Sequence, residues 1–335
     1  KSMVTSTISP VARHTGLTGR QHLLLGLVFL LALAVRGGHL WGQQQYNPLF
    51  ASPVMDEQKH HEWAQSIAAG KGLPEPLAGR PFFRAPLYYY LLAGLYRLCG
   101  PSLLVARLAG CVLGAATCYL IARLGTTLGG LRVGCLSGIL AAVYWPMVVF
   151  DAQLLTVGLE LFLNVLLLVV LVRAAAGGSR VLFLLAGVVW GLAALTRPNV
   201  LALAPGVVLW LWSTGRWPAN VGPRRPRGAD ATKSGAPAIS RWWAPALLLL
   251  GAAVAILPIT VRNRIVGGEW VLIASSGGVN FYIGNNPQSD GVAAIVPGTR
   301  ADWDGGYVDT HRIPERELGR PLKEGEVSDY WYRRA

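Results

Sequence analysis

HLLLGLVFLLALAVRGGHLW, residues 22–41, decides the class of this protein. About 20 predominantly apolar residues in a helix cross roughly 30 Å of hydrocarbon, and this run has that length and composition. Similar runs recur along the chain. Of its 335 residues 53% are apolar and 14% charged, and the mean hydropathy is positive. A soluble two-domain chain of this length would carry far more charge, so an all-α, polytopic integral membrane protein is expected.

The net charge of +13 raises the question of a nucleic-acid partner, and the distribution of that charge excludes one. Lys1, Arg13 and Arg20 lie before the first run. Arg123, Arg132, Arg173 and Arg180 lie in two short junctions, and Arg216, Arg224, Arg225, Arg227, Lys233 and Arg241 lie in 213–241. Among these segments Asp230 is the single acid. By contrast 42–85 holds four acids and four bases, and 262–335 ten acids and nine bases. This is a positive-inside bias, not a polyanion-binding face.

The bias predicts a topology. A cytoplasmic tail, 1–21, precedes a transmembrane domain, 22–262, and an extracytoplasmic segment, 263–335. Spans are expected at 22–41, 102–124, 132–150, 153–172, 181–196, 200–212 and 244–261. The fifth and sixth form a hairpin about Arg197-Pro198-Asn199, where proline and asparagine favour a turn. The loop 42–85 faces outward, while 213–241, rich in Pro, Gly and Arg, is expected to be cytoplasmic and disordered. PLYYYLLAGLYRL, 86–98, is too short to span and suits an interfacial helix whose tyrosines sit at headgroup level. The first apolar run continues past Ala32-Leu33-Ala34 to Trp41, so a spanning helix is expected there and not a cleaved leader. Cys99, Cys111, Cys118 and Cys135 form no C-x-x-C pair and have no histidine at ligand spacing, which points to packing.

The densest polar chemistry lies in the outer loop. Ser52-Pro53 reads as a helix start and Gly70 as its stop. A helix over 53–69 puts Asp56, His60, Trp63 and Ile67 on one face, an acid one turn from an imidazole above an apolar footing. Asp56 and Glu57 would complement the helix dipole there, worth about 0.3–1 kcal/mol. Their position beside a transmembrane helix, in a loop that also carries Arg80 and Arg84 within GRPFFRAPLYYY, favours chemistry at the membrane surface. An arginine fork matches phosphate oxygens, and the aromatic neighbours would hold it at headgroup level. Arg107, Asp151, Glu160 and Arg197 fall inside or at the ends of spans, where ionisable groups pair or line a polar path.

Together PVMDEQKHHEWAQSIAAGKG, PFFRAPLYYYLLAGLY, GLAALTRPN, VRNRIVGGEW and GGVNFYIGNNP resemble bacterial GT-C membrane glycosyltransferases. The related enzymes are the dolichyl-phosphate-mannose protein mannosyltransferases and the aminoarabinose transferase acting on lipid A. The resemblance spans about 22–335 and implies a GT-C-like helical bundle with extracytoplasmic interfacial helices in the bacterial inner membrane. It implies transfer of a sugar, with inversion, from a polyprenyl-phosphate carrier to an extracytoplasmic lipid, protein or polysaccharide. The partners are then that carrier, the acceptor and membrane lipids. No cofactor or metal is called for, because the departing phosphate is already a stable anion. By the same resemblance Asp56 is the expected base and Glu57 orients the acceptor or the base. Arg84, His60 and Arg197 are the expected substrate-binding residues, with the two arginines on the carrier phosphate.

Two departures accompany the resemblance. Relatives often carry an acid after Leu-Leu-Thr, where this chain has Val157, so a second acid would have to be Asp151 or Glu160. The chain also lacks an initiator methionine and ends in a segment that in the family leads into further spans, so a fragment is expected. Two competing functions are a lipid or sugar transporter and a cell-envelope oligosaccharide ligase or polymerase. A transporter places its substrate near the midplane on broken helices, and a ligase needs a diphosphate-linked donor.

Overall fold

A computed structural model describes residues 18–213 and 242–335. The tail before Thr18 and nearly all of the 213–241 loop lie outside the described residues. Every regular element described is a helix. The two layers are a bundle of long apolar helices and an outer set of shorter, more polar ones.

Four bundle helices are long and apolar enough to cross a membrane: α1 (Gly19–Tyr46), α4 (Leu103–Gly129), α7 (Thr156–Gly177) and α10 (Trp243–Gly267). The expected single span over 132–150 is instead two helices, α5 (Leu131–Val143) and α6 (Trp145–Asp151), meeting at 60°. Tyr144 is extended and Pro146 sits in the first turn of α6, so the break falls where proline forbids a continuous ladder. Next come α8 (Arg180–Ala194), a 3₁₀ turn at Pro198–Leu203 and α9 (Ala204–Ser213), shorter than a full crossing. Pro198 breaks the chain between α8 and α9, as the Arg197-Pro198-Asn199 turn requires.

Apolar burial separates neighbours from lipid in each helix. Leu25, Val28 and Ala32 of α1 pack on Ala115, Cys118 and Ala122 of α4 with Ala142 of α5. Leu23, Leu27 and Leu30 on the other side of α1 are exposed, as a lipid-facing stripe must be. Between α8 and α10 the backbones approach closely: a Cβ on Gly187 would overlap the Leu248 carbonyl, and one on Gly251 the Leu184 carbonyl. Small residues at such crossings are how membrane helices gain packing where burial against lipid gives no hydrophobic drive.

The outer layer contains α2 (Met55–Ala68), α3 (Leu87–Cys99), α11 (Gly277–Asn285), α12 (Trp303–Leu318) and α13 (Glu324–Arg334). Ala64 of α2 is buried with Leu92, Ala93 and Tyr96 of α3, and of the α3 tyrosines Tyr89 and Tyr96 pack inward while Tyr90 is exposed. Trp63, Phe82, Tyr89 and Tyr307 share a second cluster that joins α2 and α3 to α12. The start of α2 differs from the Ser52-Pro53 expectation. Val54 occupies the cap position without a side-chain cap, and Met55 enters with φ of 55°, a left-handed conformation that non-glycine residues rarely adopt. Gly70, with φ of 78°, follows its end as expected. Likewise α1 runs on to Tyr46, so Gln43 belongs to a helix and not to the outer loop.

Candidate active site

Asp56 lies in the first turn of α2, and Arg84 on the segment that leads into α3. Their side chains meet at 2.9 Å. Both line a cavity of about 640 Å³ between the ends of α1, α4 and α6 and the outer layer. His39, Gln43, Phe50 and Val149 form its membrane side. Asn280, Val296, Arg300 and Trp303 form its outer side. Both sides mix apolar and polar groups: His39, Gln43 and Arg107 come from bundle helices, and Asp56, Glu57 and Arg84 from the loop between α1 and α3.

Glu57, beside Asp56, is engaged on both oxygens. One accepts from the Leu154 amide at 3.2 Å and the other from Arg107 at 3.3 Å. Arg107, 5% exposed, also donates to the Phe50 carbonyl at 2.5 Å and lies 4.1 Å from the Phe50 ring centre. His60 contacts the same loop: its Nδ1 lies 2.8 Å from the Leu154 carbonyl. A carbonyl can only accept, so Nδ1 carries the proton. Burial, with the Arg84 charge adding to it, pushes the imidazole down to about 4, so the ring is neutral near pH 7. Glu57 and His60 together hold the start of α2 to both polar atoms of Leu154, and this orients Asp56 toward the cavity.

The five expected site residues therefore divide. Asp56, Glu57 and Arg84 share the cavity wall. His60 and Arg197, expected to contact substrate, do not line it. His60 is buried behind the wall against Trp63 and Tyr88. Arg197 pairs with Glu160 at 3.2 Å, close to the start of α3, where the Leu87 amide donates to the Leu195 carbonyl, but neither residue lines the cavity. An acid on a helix face and an arginine in a turn are legible in sequence, but which cavity they face is not. The two alternative acids are also committed, Glu160 to Arg197 and Asp151 to Arg36.

Trp303 had no sequence signal, and the contacts of Lys59 and Asn263 with the site are not legible in the stretches that carry them. Trp303, at the start of α12, lies 5.7 Å beneath the Arg84 guanidinium and 5.9 Å from Lys59 Nζ. Lys59 bridges to Asp304 at 2.8 Å, so α2 and α12 are tied beside the cavity. The segment carrying Arg84 is clamped by the end of α10. The Phe82 amide donates to Asn263 Oδ1 at 3.0 Å, and Asn263 Nδ2 donates to the Val271 and Ile273 carbonyls. Asn263 is fully buried, so each of these polar groups depends on the others. Among the described residues no cluster of histidine, cysteine or carboxylate side chains could hold a metal ion.

Residues 83–224 match the family model described as dolichyl-phosphate-mannose-protein mannosyltransferase. The matched stretch includes Arg84, Arg107 and Arg197 and begins after the acid pair. It supports the resemblance to GT-C-like mannosyltransferases and, generally, a glycosyltransferase that takes its sugar from a polyprenyl-phosphate donor. With the apolar helices, it supports a multi-pass membrane protein. No curated protein and no solved structure gave a match.

Proposed function

We propose that the protein transfers a sugar, with inversion, from a polyprenyl-monophosphate carrier to a hydroxyl acceptor on the extracytoplasmic face of a bacterial plasma membrane. The ion pair between Asp56 and Arg84 on the cavity wall carries this reading. A base and a phosphate-binding cation are what such a transfer needs, because the leaving phosphate is a stable anion and requires no acid. In the free site the two groups neutralise each other. When the carrier binds, phosphate oxygens replace the Asp56 carboxylate at the Arg84 fork. The freed carboxylate then faces the acceptor hydroxyl.

In the transfer step the acceptor oxygen bonds to the anomeric carbon and its proton passes to Asp56. The bond from that carbon to the phosphate oxygen breaks, and the electron pair leaves with the polyprenyl phosphate. Glu57 acts as a positioning residue through Leu154 and Arg107. A monophosphate carrier is favoured because Arg107 is buried on Glu57 and the Phe50 carbonyl and Arg300 is held by both Asp309 oxygens, whereas Arg84 has one carboxylate contact to exchange.

The test is incubation of membranes containing the protein with radiolabelled polyprenyl-phosphate mannose, followed by separation of carrier from product. Label should move from the lipid carrier to a new species in the wild type and stay with the carrier in Asp56→Asn membranes. Label crossing the membrane while still attached to its carrier would favour a transporter.

A further inference from the structure

Glu324, at the start of α13, is a buried carboxylate 240 positions from Arg84 and outside the cavity wall. Its Oε1 accepts from Arg80 at 3.1 Å, Tyr307 at 2.9 Å and His311 at 2.9 Å, and its Oε2 accepts from Ser275 at 3.1 Å. Three of those four donors touch the segment that ends in Arg84. Arg80 begins it. The Ser275 amide donates to the Phe82 carbonyl at 2.9 Å, and the next amide, Ser276, to the Phe83 carbonyl at 3.1 Å. The Tyr307 ring lies edge-on to Phe83 at 4.7 Å and stacks at 8° on Trp303, the ring beneath the Arg84 guanidinium. Burial alone would disfavour the ionised carboxyl, but the bonds from His311, Arg80 and Tyr307 outweigh it and hold the group down to about 2. His311 turns its other ring nitrogen to the Tyr307 carbonyl at 3.1 Å, so it completes the network without leaving it.

We propose that Glu324 is a positioning residue for Arg84: it fixes the 80–84 segment and the Trp303–Tyr307 stack so that the guanidinium is held at the depth where the carrier phosphate binds. Glu324 thereby tunes donor affinity from outside the cavity wall. A charge-neutral group of the same shape cannot accept from all four donors, so the segment and the stack lose their common anchor. The inference rests on the assignment of Arg84 to the carrier phosphate.

A double-mutant cycle tests it, read as equilibrium binding of radiolabelled polyprenyl-phosphate mannose to purified protein in detergent, with thermal unfolding measured on each sample. Arg84→Ala should weaken binding by about tenfold or more, and Glu324→Gln by about fivefold. The combined variant should bind no more weakly than Arg84→Ala alone, because the second change acts through the first. Arg80→Met removes one of the four donors from a half-exposed position and leaves three, so it keeps the cycle readable where Glu324→Gln does not fold. It should weaken binding by about threefold and show the same loss of effect beside Arg84→Ala. A merely structural role predicts multiplied effects in the combined variants, and that result overturns the proposal. So does unchanged donor binding in folded Glu324→Gln and Arg80→Met. If Arg84→Ala itself binds donor normally, the phosphate assignment is wrong and the inference falls with it.

Discussion

Arg36 of α1 and Asp151 at the end of α6 form an ion pair at 2.7 Å, 115 positions apart, with side chains 0% and 3% exposed. Gly114 of α4 makes room for it, since a Cβ there would overlap both partners. Arg36 also donates to the Ala32 and Ala142 carbonyls, the second near the α5–α6 break. The pair therefore pins the bent span against α1 and sets the loop after Asp151, whose Leu154 holds the start of α2. Replacing Arg36 by leucine leaves a buried carboxylate without its partner and should cost about 3–5 kcal/mol. Replacing both residues by leucine should recover much of that loss. Thermal unfolding in detergent measures both, and equal losses in the single and double variants would mean the pair has no such role.

Arg84 should discriminate between its replacements. Lysine keeps a point charge but loses the planar fork, whereas alanine loses both. Donor-lipid binding is expected to fall in the order wild type, Arg84→Lys, Arg84→Ala. Equal binding in all three would remove Arg84 from the phosphate site.

The bundle was legible because lipid solvation leaves a long apolar run few alternatives to a helix. The Asp56–Arg84 site was legible in part, since charges beside interfacial aromatics are conspicuous there. The pairing of Arg36 with Asp151 was not, because nothing in either local sequence names a partner 115 positions away. Ser52 misled for a related reason. Serine before proline resembles a cap, yet Ser52 lies in a bend, Val54 takes the cap position, and the first-turn acids are drawn to Arg84, Arg107 and Leu154 by tertiary contacts. Trp303 and Glu324 lie on short helices without a long apolar run to fix their placement, and their contacts emerge only from packing.

His60 predicts a dependence on pH. Its ring is held neutral with a value lowered from 6.5 to about 4, while the unfolded chain binds a proton near 6.5. Between those values the unfolded state carries the extra proton, so the contribution is present above pH 6.5 and is lost as pH falls toward 4. The loss is on the order of 2–3 kcal/mol. Thermal stability recorded from pH 7 to 4 should fall less steeply in His60→Gln than in the wild type. Parallel curves would show that His60 does not titrate on unfolding.

Whether Asp56 takes the acceptor proton is decided by the sugar-transfer rate of Asp56→Asn, recorded beside its thermal stability and donor binding. Asparagine keeps the shape and helix position but cannot act as the base. Turnover should fall by about 10²–10⁴-fold while the protein folds and binds donor. If the carboxylate only complements the α2 dipole, the change should cost about 1 kcal/mol or less of stability and leave most of the activity. A folded Asp56→Asn protein that transfers sugar at nearly the wild-type rate would contradict the assignment.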